Sequence, residues 1–398
     1  MYRFHLFGKF SNVKIKKELI ILYLAGFMLA ISTAFPAYIN SNFIETFVAT
    51  KYVGLFFVAA NVITFFAMLF FPSIIRKFSN IISAKVMMLI NIVSLMALMV
   101  SPSPVILLIF FVLMWASSNL LWINMDIFVE SFTENESTGK TRAIFFTFMN
   151  LGWILSPMFA SMLVISPDYY NLVYLAAAFL ILVYYFVVVS NEKKVSVAVE
   201  YDKLNIIQTV TDFWKNLNLR GVYFVSFFLN LFFSSAVVFI PIYLHNAIGF
   251  GWSTLGIMFS IMLIPFVLIE IPAGIIADKY LGEKEMTYAG LAIILVSLLL
   301  FFFTKSTSPL VWGSILFLSR IGAALIEAMR ESRFFKIVDA ENVSHINFLR
   351  TSYPLGYLVG SGLGVFILSF YDIQYLFLFL AVLFLFSFYF VFIIKDSK

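Results

Sequence analysis

The stretch GIIADKYLGEK, residues 274–284, sets two glycines and four charged side chains between runs that are otherwise almost unbroken Phe, Leu, Ile and Val. A polar, glycine-marked segment this short between long apolar runs reads as a tight turn joining two helices. The same pattern extends over the chain: hydrophobic residues are 62% and charged residues 12% of 398 positions, against roughly 25% charge in a soluble domain. Each apolar run is about 20 residues, enough to cross a ~30 Å hydrocarbon core at 1.5 Å per residue. With no water to satisfy the backbone, such runs must be helices, and the short alternating segments of a β-barrel are not present.

Runs bounded by Pro, Gly, Ser or charge predict twelve spans, at 20–40, 53–75, 82–100, 105–128, 142–164, 171–190, 221–244, 253–276, 286–304, 309–331, 352–370 and 373–394. The fold class is all-α integral membrane. Lys51 and Lys305 are the only Lys or Arg on one side, whereas Arg3, Lys14, Lys16, Lys17, Arg76, Lys77, Lys85, Lys193, Lys194, Lys203, Lys215 and others fall on the opposite side. Both termini are therefore expected to be cytoplasmic, in a multi-pass protein of the cytoplasmic (inner) membrane. The basic segment 1–19 precedes an apolar run too long for an ordinary signal-peptide core and reads as an uncleaved anchor. The net charge of +5 belongs to these loops, so nucleic acid is not an expected partner; the lipid bilayer is. The chain has no cysteine, which excludes disulfides, thiolate metal sites and cysteine nucleophiles.

The longest hydrophilic segment, 191–220, divides the spans six from six, so the expected domains are 1–190, a cytoplasmic linker 191–220, and 221–398. Within the linker Leu204, Ile207, Val210, Trp214 and Leu217 recur at helical spacing against Asp202, Lys203, Asp212 and Lys215, the pattern of an amphipathic helix on a membrane surface. The halves resemble each other. FPAYI (35–39) matches IPIYL (240–244) at an offset of 205, Gly152-Trp-Ile-Leu matches Gly356-Tyr-Leu-Val at 204, and Ser73-Ile-Ile matches Gly274-Ile-Ile at 201. Three nearly equal offsets around a central linker indicate duplication of a six-span unit, giving two six-helix bundles related by a pseudo-twofold axis.

Twelve spans in two parallel repeats together with a GxxxD[RK] loop resemble the major facilitator superfamily. That family's loop sits after the second span and often again after the eighth. Here the eighth-span copy supplies Gly274, Asp278, Lys279 and Gly282, with Gly282 one residue late and Glu283 where a basic residue is common. The resemblance implies a gate: Gly274 would permit close helix approach, and Asp278 would face the positive N-terminal turn of the fifth span near Thr141 and Arg142. The first-half copy keeps Ser73, Arg76 and Lys77 without an aspartate, so its latch is expected to be weakened. The fifth span also resembles the exporters of this superfamily, with Ala143, Gly152, Ser156, Pro157, Ala160 and Ser161 at the positions of their glycine and proline motif. Small residues and a proline suit any tightly packed, kinked helix as well.

An ionisable residue at mid-bilayer costs roughly 2.5–3.5 kcal/mol, so each asks for a partner or a task. In the tenth span Arg320, Ala323, Ala324, Glu327, Arg330 and Glu331 fall on one helical face; in the fourth, Trp115, Asn119, Trp122 and Asp126 do. At the 204 offset Asp126 corresponds to Arg330, and the two are expected to meet across the axis as opposite charges. Glu270 is expected to join the signature-loop network. Asn230 adds a polar group from the seventh span; in the superfamily these spans line the central path. His5, His245 and His345 lie apart, and there is no HExxH or GxxxxGK[ST] motif, so neither an enzyme, a metal or other cofactor nor direct ATP drive is expected. The reading is a monomeric secondary transporter of a small solute, with proton-coupled export leading, proton-coupled uptake as the alternative, and a non-transporting receptor or scaffold as the rival class.

Overall fold

The structure, a computed structural model, describes residues 17–100, 103–132, 138–164, 170–195, 206–338 and 343–395. Twelve helices among them are long and apolar enough to cross a membrane: Glu18–Glu45, Thr50–Phe78, Asn80–Met99, Pro104–Val129, Ile144–Met162, Asn171–Ser190, Leu217–Ala247, Trp252–Ala277, Glu283–Phe303, Pro309–Ile337, Ser344–Leu368 and Gln374–Phe392. The largest departure from the expected bounds is at the eleventh, which begins eight residues before its apolar run, in a helix Val343–Arg350 that turns at Thr351 into Ser352–Leu368. Hydropathy sees only the part of a helix that would meet lipid, so the polar extension is invisible to it. The tenth likewise runs past its apolar part to Ile337.

Local chemistry explains several helix ends. Pro104 and Pro309 open the fourth and tenth spans, where a missing N–H costs nothing, and the Ser103 hydroxyl accepts from Ile106 N. Some prolines inside spans interrupt them, whereas Pro72 and Pro157 lie within continuous helices. The first pauses between Ala37 and Asn40, just past Pro36, and the eighth is divided at Leu263 and Ile269, next to Pro265 and Pro272. In the seventh, Pro241 sits between two π-helical turns, Ser235–Phe239 and Tyr243–Ala247.

Packing repeats between the halves. The first span lies on the fifth and sixth, as the seventh lies on the eleventh and twelfth; the third lies on the fourth and sixth, as the ninth lies on the tenth and twelfth. The second packs on the eleventh and the eighth on the fifth, which are the two long seams between the halves. Gly152 approaches Phe27 O, Ala30 and Ile31 of the first span; Gly356 approaches Phe227 O, Asn230 and Leu231 of the seventh. The fifth and eleventh spans are thus related by 204 residues, as the sequence implied, but their partners by 200 rather than the 205 read from FPAYI and IPIYL.

The linker helix, Ile206–Lys215, docks on the second half. Phe213 is buried against Tyr223, Phe334 and Phe348, and Asp212 lies 3.5 Å from His345. Ile207, Val210 and Trp214 are left exposed on its other side, the apolar stripe expected of a membrane-surface helix. Leu217 belongs to the seventh span, and Leu204, Asp202 and Lys203 lie outside the described residues.

Candidate functional site

At the end of the bundle that carries the linker, charged side chains from the tenth and eleventh spans form a network. Arg330, 8% exposed, donates to Glu331 Oε1 at 2.8 Å and to Ser226 Oγ of the seventh span at 3.0 Å, and its Nη2 lies 3.5 Å from Glu327. Arg350 donates to both oxygens of Glu331, at 2.8 and 3.5 Å. Ser226 also bonds Ser352 at 2.7 Å, so three helices of the second half are joined here. Asp126, from the first half, acts electrostatically on Arg350. The cross-axis pair expected between Asp126 and Arg330 is not formed: Arg330 is paired with its own neighbours Glu327 and Glu331, and Arg350 is a cation within the electrostatic reach of Asp126. Glu270 lies within the electrostatic reach of Glu327, Glu331 and Arg330, so it borders this acid cluster.

Arg320 stands apart from that network. It is 1% exposed, with its guanidinium carbon 5.3 Å from the Phe232 ring and 5.5 Å from the Phe233 ring of the seventh span. Tyr38 of the first span reaches it, and Tyr357 of the eleventh lies close. Tyr357 packs on Trp115 at 5.8 Å and on Tyr353 at 4.6 Å. Trp115, 8% exposed, donates to Asn61 Oδ1 at 3.2 Å, while Asn119 donates to Trp115 O and approaches Tyr353. Trp122 is half-buried on the main core. The fourth-span stripe thus does come to the seam between halves, through tyrosines of the eleventh span that sequence reasoning missed.

The remaining expected groups separate. Asn230 donates to Ser226 O within its own helix, and its Cβ carries Gly356; it is a packing residue of the seventh–eleventh seam. Gly274 has nothing within 4 Å of where a Cβ would stand, so among the described residues the close approach expected there is absent. Lys279 is exposed, and the side chain of Asp278, like those of Thr141 and Arg142, lies outside the described residues. Gly282 does mark a special turn, with φ +109° where the ninth helix starts. Glu283, the residue after it, is buried and bonded to Lys336 of the tenth span, with Arg333 at 4.0 Å. The first-half copy keeps the turn: Ser79 has φ 73° before the third helix, and Asn80 pairs with Asn124 of the fourth span, Asn124 Nδ2 lying 2.6 Å from Asn80 Oδ1. The first-half copy carries an amide tie where the second-half loop carries an ionic one.

In the fifth span Ser156 donates to Gly152 O at 2.6 Å and toward Ile31 O at 3.4 Å. One turn on, a Cβ at Gly256 of the eighth span would stand 2.0 Å from Ser161 Oγ and 2.8 Å from Pro157 O, and Met158 N donates to Ser260 Oγ at 3.1 Å. Other contacts between halves gather at this same end, opposite the linker. Gly54 would place a Cβ 2.7 Å from Ser361 O, Tyr38 stacks on Phe259 at 5.0 Å, Tyr170 meets Trp252 edge-on at 5.7 Å, and Asn246 donates to Glu45 at 2.6 Å. The structure is closed at the end away from the linker.

A polytopic helical protein with twelve spans, repeated packing and ionisable groups along its central seam has the architecture of a membrane transporter. The chain belongs to the Major Facilitator Superfamily: residues 19–330 match the model of that family. Among solved structures it is similar to the nucleoside transporter NupG, at TM-score 0.74 and 13% identity over 96% of this chain and 100% of that one. A mutant of the same transporter gives 0.76 and 13% over 95% and 100%. A bacterial homolog of the human lysosomal transporter Spinster, in an inward-facing and unoccupied conformation, gives 0.68 and 11% over 89% and 82%. No curated protein matches. The chain is a transporter, not an enzyme.

Proposed function

We infer that the protein is a secondary active transporter of a small solute, with export in exchange for protons as its leading direction. Two six-helix bundles, 1–190 and 221–398, rock about the central seam and are joined by the linker 191–220. The observation that carries this reading is the asymmetry of the seam: direct contacts between halves gather at one end, and the ionisable groups gather at the other. In alternating access the first set must break as the second end closes. Glu327 suits a proton carrier because its ion pair to Arg330 is long, at 3.5 Å, and its side chain is 36% exposed. Withdrawing that arginine during rocking would favour protonation, and restoring it would favour release. Asp126, within the electrostatic reach of Arg350 from the other half, is the second candidate. Export draws its support from the small-residue fifth span.

The test uses proteoliposomes and a solute identified by ligand-dependent thermal shift. Glu327→Gln should still exchange solute across the membrane yet lose accumulation driven by a pH gradient, with Asp126→Asn measured alongside. Accumulation by both neutral variants at the unmodified rate would rule these acids out as carriers, and inward accumulation with protons would establish uptake instead. For the orientation, a cysteine placed at Lys51 or Ser306 should react with an impermeant thiol reagent from outside the cell, and one at Lys194 should not. Size-exclusion with light scattering should give the mass of one chain.

A further inference from the structure

Arg320 has no answering charge. Its Nε and Nη1 are buried without a hydrogen-bond partner, and among the described residues no carboxylate pairs with it. Glu327 is the next acid on that helix face, seven residues or about 10 Å of rise away, and it is paired with Arg330. Removing a guanidinium from water with no counter-charge is unfavourable, and aromatic faces offset only part of the loss. The side chain is also not placed to snorkel: it stands eleven residues into the tenth span, inside the bundle.

We propose that Arg320 recognises the carboxylate of a small organic anion whose flat apolar body lies among Tyr38, Phe232, Phe233 and Tyr357. The proposal rests on the transport reading above and names its substrate class. A planar guanidinium fork fits a carboxylate, and its hydrogen bonds to an anion are of the strong, charge-assisted kind. The rings supply π faces and no charge, which suits an apolar or aromatic body. They come from the first, seventh and eleventh spans, with Trp115 of the fourth and Phe259 of the eighth behind them. A ligand held there would touch both halves, as a substrate of a rocking transporter must. A bare inorganic anion would answer the charge and leave the rings unused.

The test is ligand-dependent thermal shift and tryptophan fluorescence on the full chain in lipid nanodiscs. Its probes are phenylacetate, phenylacetamide, phenethylamine and sodium sulfate. Phenylacetate should bind, the amide and amine should bind at least about tenfold more weakly, and Arg320→Gln should lose that preference by a similar factor, with Arg320→Lys between. Equal responses to the three organic probes, no response to any, or an equal response to sulfate overturns the proposal. So does an unchanged phenylacetate preference in a folded Arg320→Gln; if that variant does not fold, the unmodified protein and Arg320→Lys decide. Counterflow in proteoliposomes separates the two claims. Anion binding without flux defeats the transport reading and leaves the site standing, whereas flux of the amide and amine equal to that of phenylacetate defeats the site and leaves transport standing.

Discussion

Asn246 Nδ2 donates to Glu45 Oε2 at 2.6 Å while Thr50 Oγ1 donates to Glu45 Oε1 at 2.5 Å, so one carboxylate ties the tips of the first and seventh spans to the start of the second. Hydrogen bonds to a charged group contribute about 1.5–3 kcal/mol, less at an exposed position such as this one. Glu45→Ala should therefore shift the balance several-fold toward a form open at this end. Spin labels at Lys51 and Ser306 would read the change as a longer distance population. An unaltered distribution would show that the pair is decorative.

Closely packed glycines divide into those between the halves and those within one half, and alanine should tell them apart. Gly256→Ala sets a methyl against Ser161 and Pro157 of the other half, so it should wedge the closed end apart and leave each half intact. A Cβ at Gly290 would stand 2.8 Å from Gly322 O, and one at Gly322 would stand 2.7 Å from Gly290 O, both within the last six spans. Overpacking costs about 1–3 kcal/mol. Gly290→Ala should lower the melting temperature of the purified protein, whereas Gly256→Ala should act chiefly on the spin-label distances.

Glu331 holds two arginines at once. Replacing it with Gln leaves Arg330 and Arg350 together short of a counter-charge in the bundle, and stranding buried charge costs about 3–5 kcal/mol, less here because the Glu331 side chain is 23% exposed. Glu331→Gln should reduce the yield of folded protein well below that of Glu327→Gln, and adding Arg350→Gln should recover part of it. Equal yields from the two single variants would contradict the network.

Ser79 adopts φ 73°, ψ 159°, a region that suits glycine and costs other residues about 1–3 kcal/mol. Its hydroxyl cap to Ile82 N is long, at 3.5 Å, and glycine gives up only a few tenths of a kcal/mol as a cap. Ser79→Gly should raise the melting temperature, whereas Gly282→Ala, which forces a Cβ into φ +109°, should lower it. A lower melting temperature for Ser79→Gly would mean that the hydroxyl matters more than the backbone.

The spans could be read from the sequence because lipid imposes a one-dimensional constraint that hydropathy measures directly. What it hides are relations set by three-dimensional partners. Asp126 and Arg330 occupy equivalent places in the repeats, but equivalence under a twofold axis does not require contact, and Arg330 pairs with the acids beside it on its own helix. Arg350 went unnoticed because it lies ahead of its apolar run. The motif points to a close approach at Gly274, while tight approaches on the seventh span come from Gly356, Gly360 and Gly364, which press on Asn230, Ser234 and Phe239. Their spacing of four was a readable signal of helix packing. Arg320 was legible as an anomaly, since a charge eleven residues into an apolar run has few explanations.

Both ends of the linker are fastened. On the first half, Lys85 grips Glu192 at 2.6 Å, in the short helix Glu192–Val195 that continues the sixth span; on the second, Phe213 is sunk among the rings of three helices. Ten residues, 196–205, separate the two anchored helices. The eleven residue steps from Val195 to Ile206 span at most about 36–40 Å, which sets a leash on the stroke: the anchored ends can part no farther than this at any point in the cycle unless one of the two fastenings lets go.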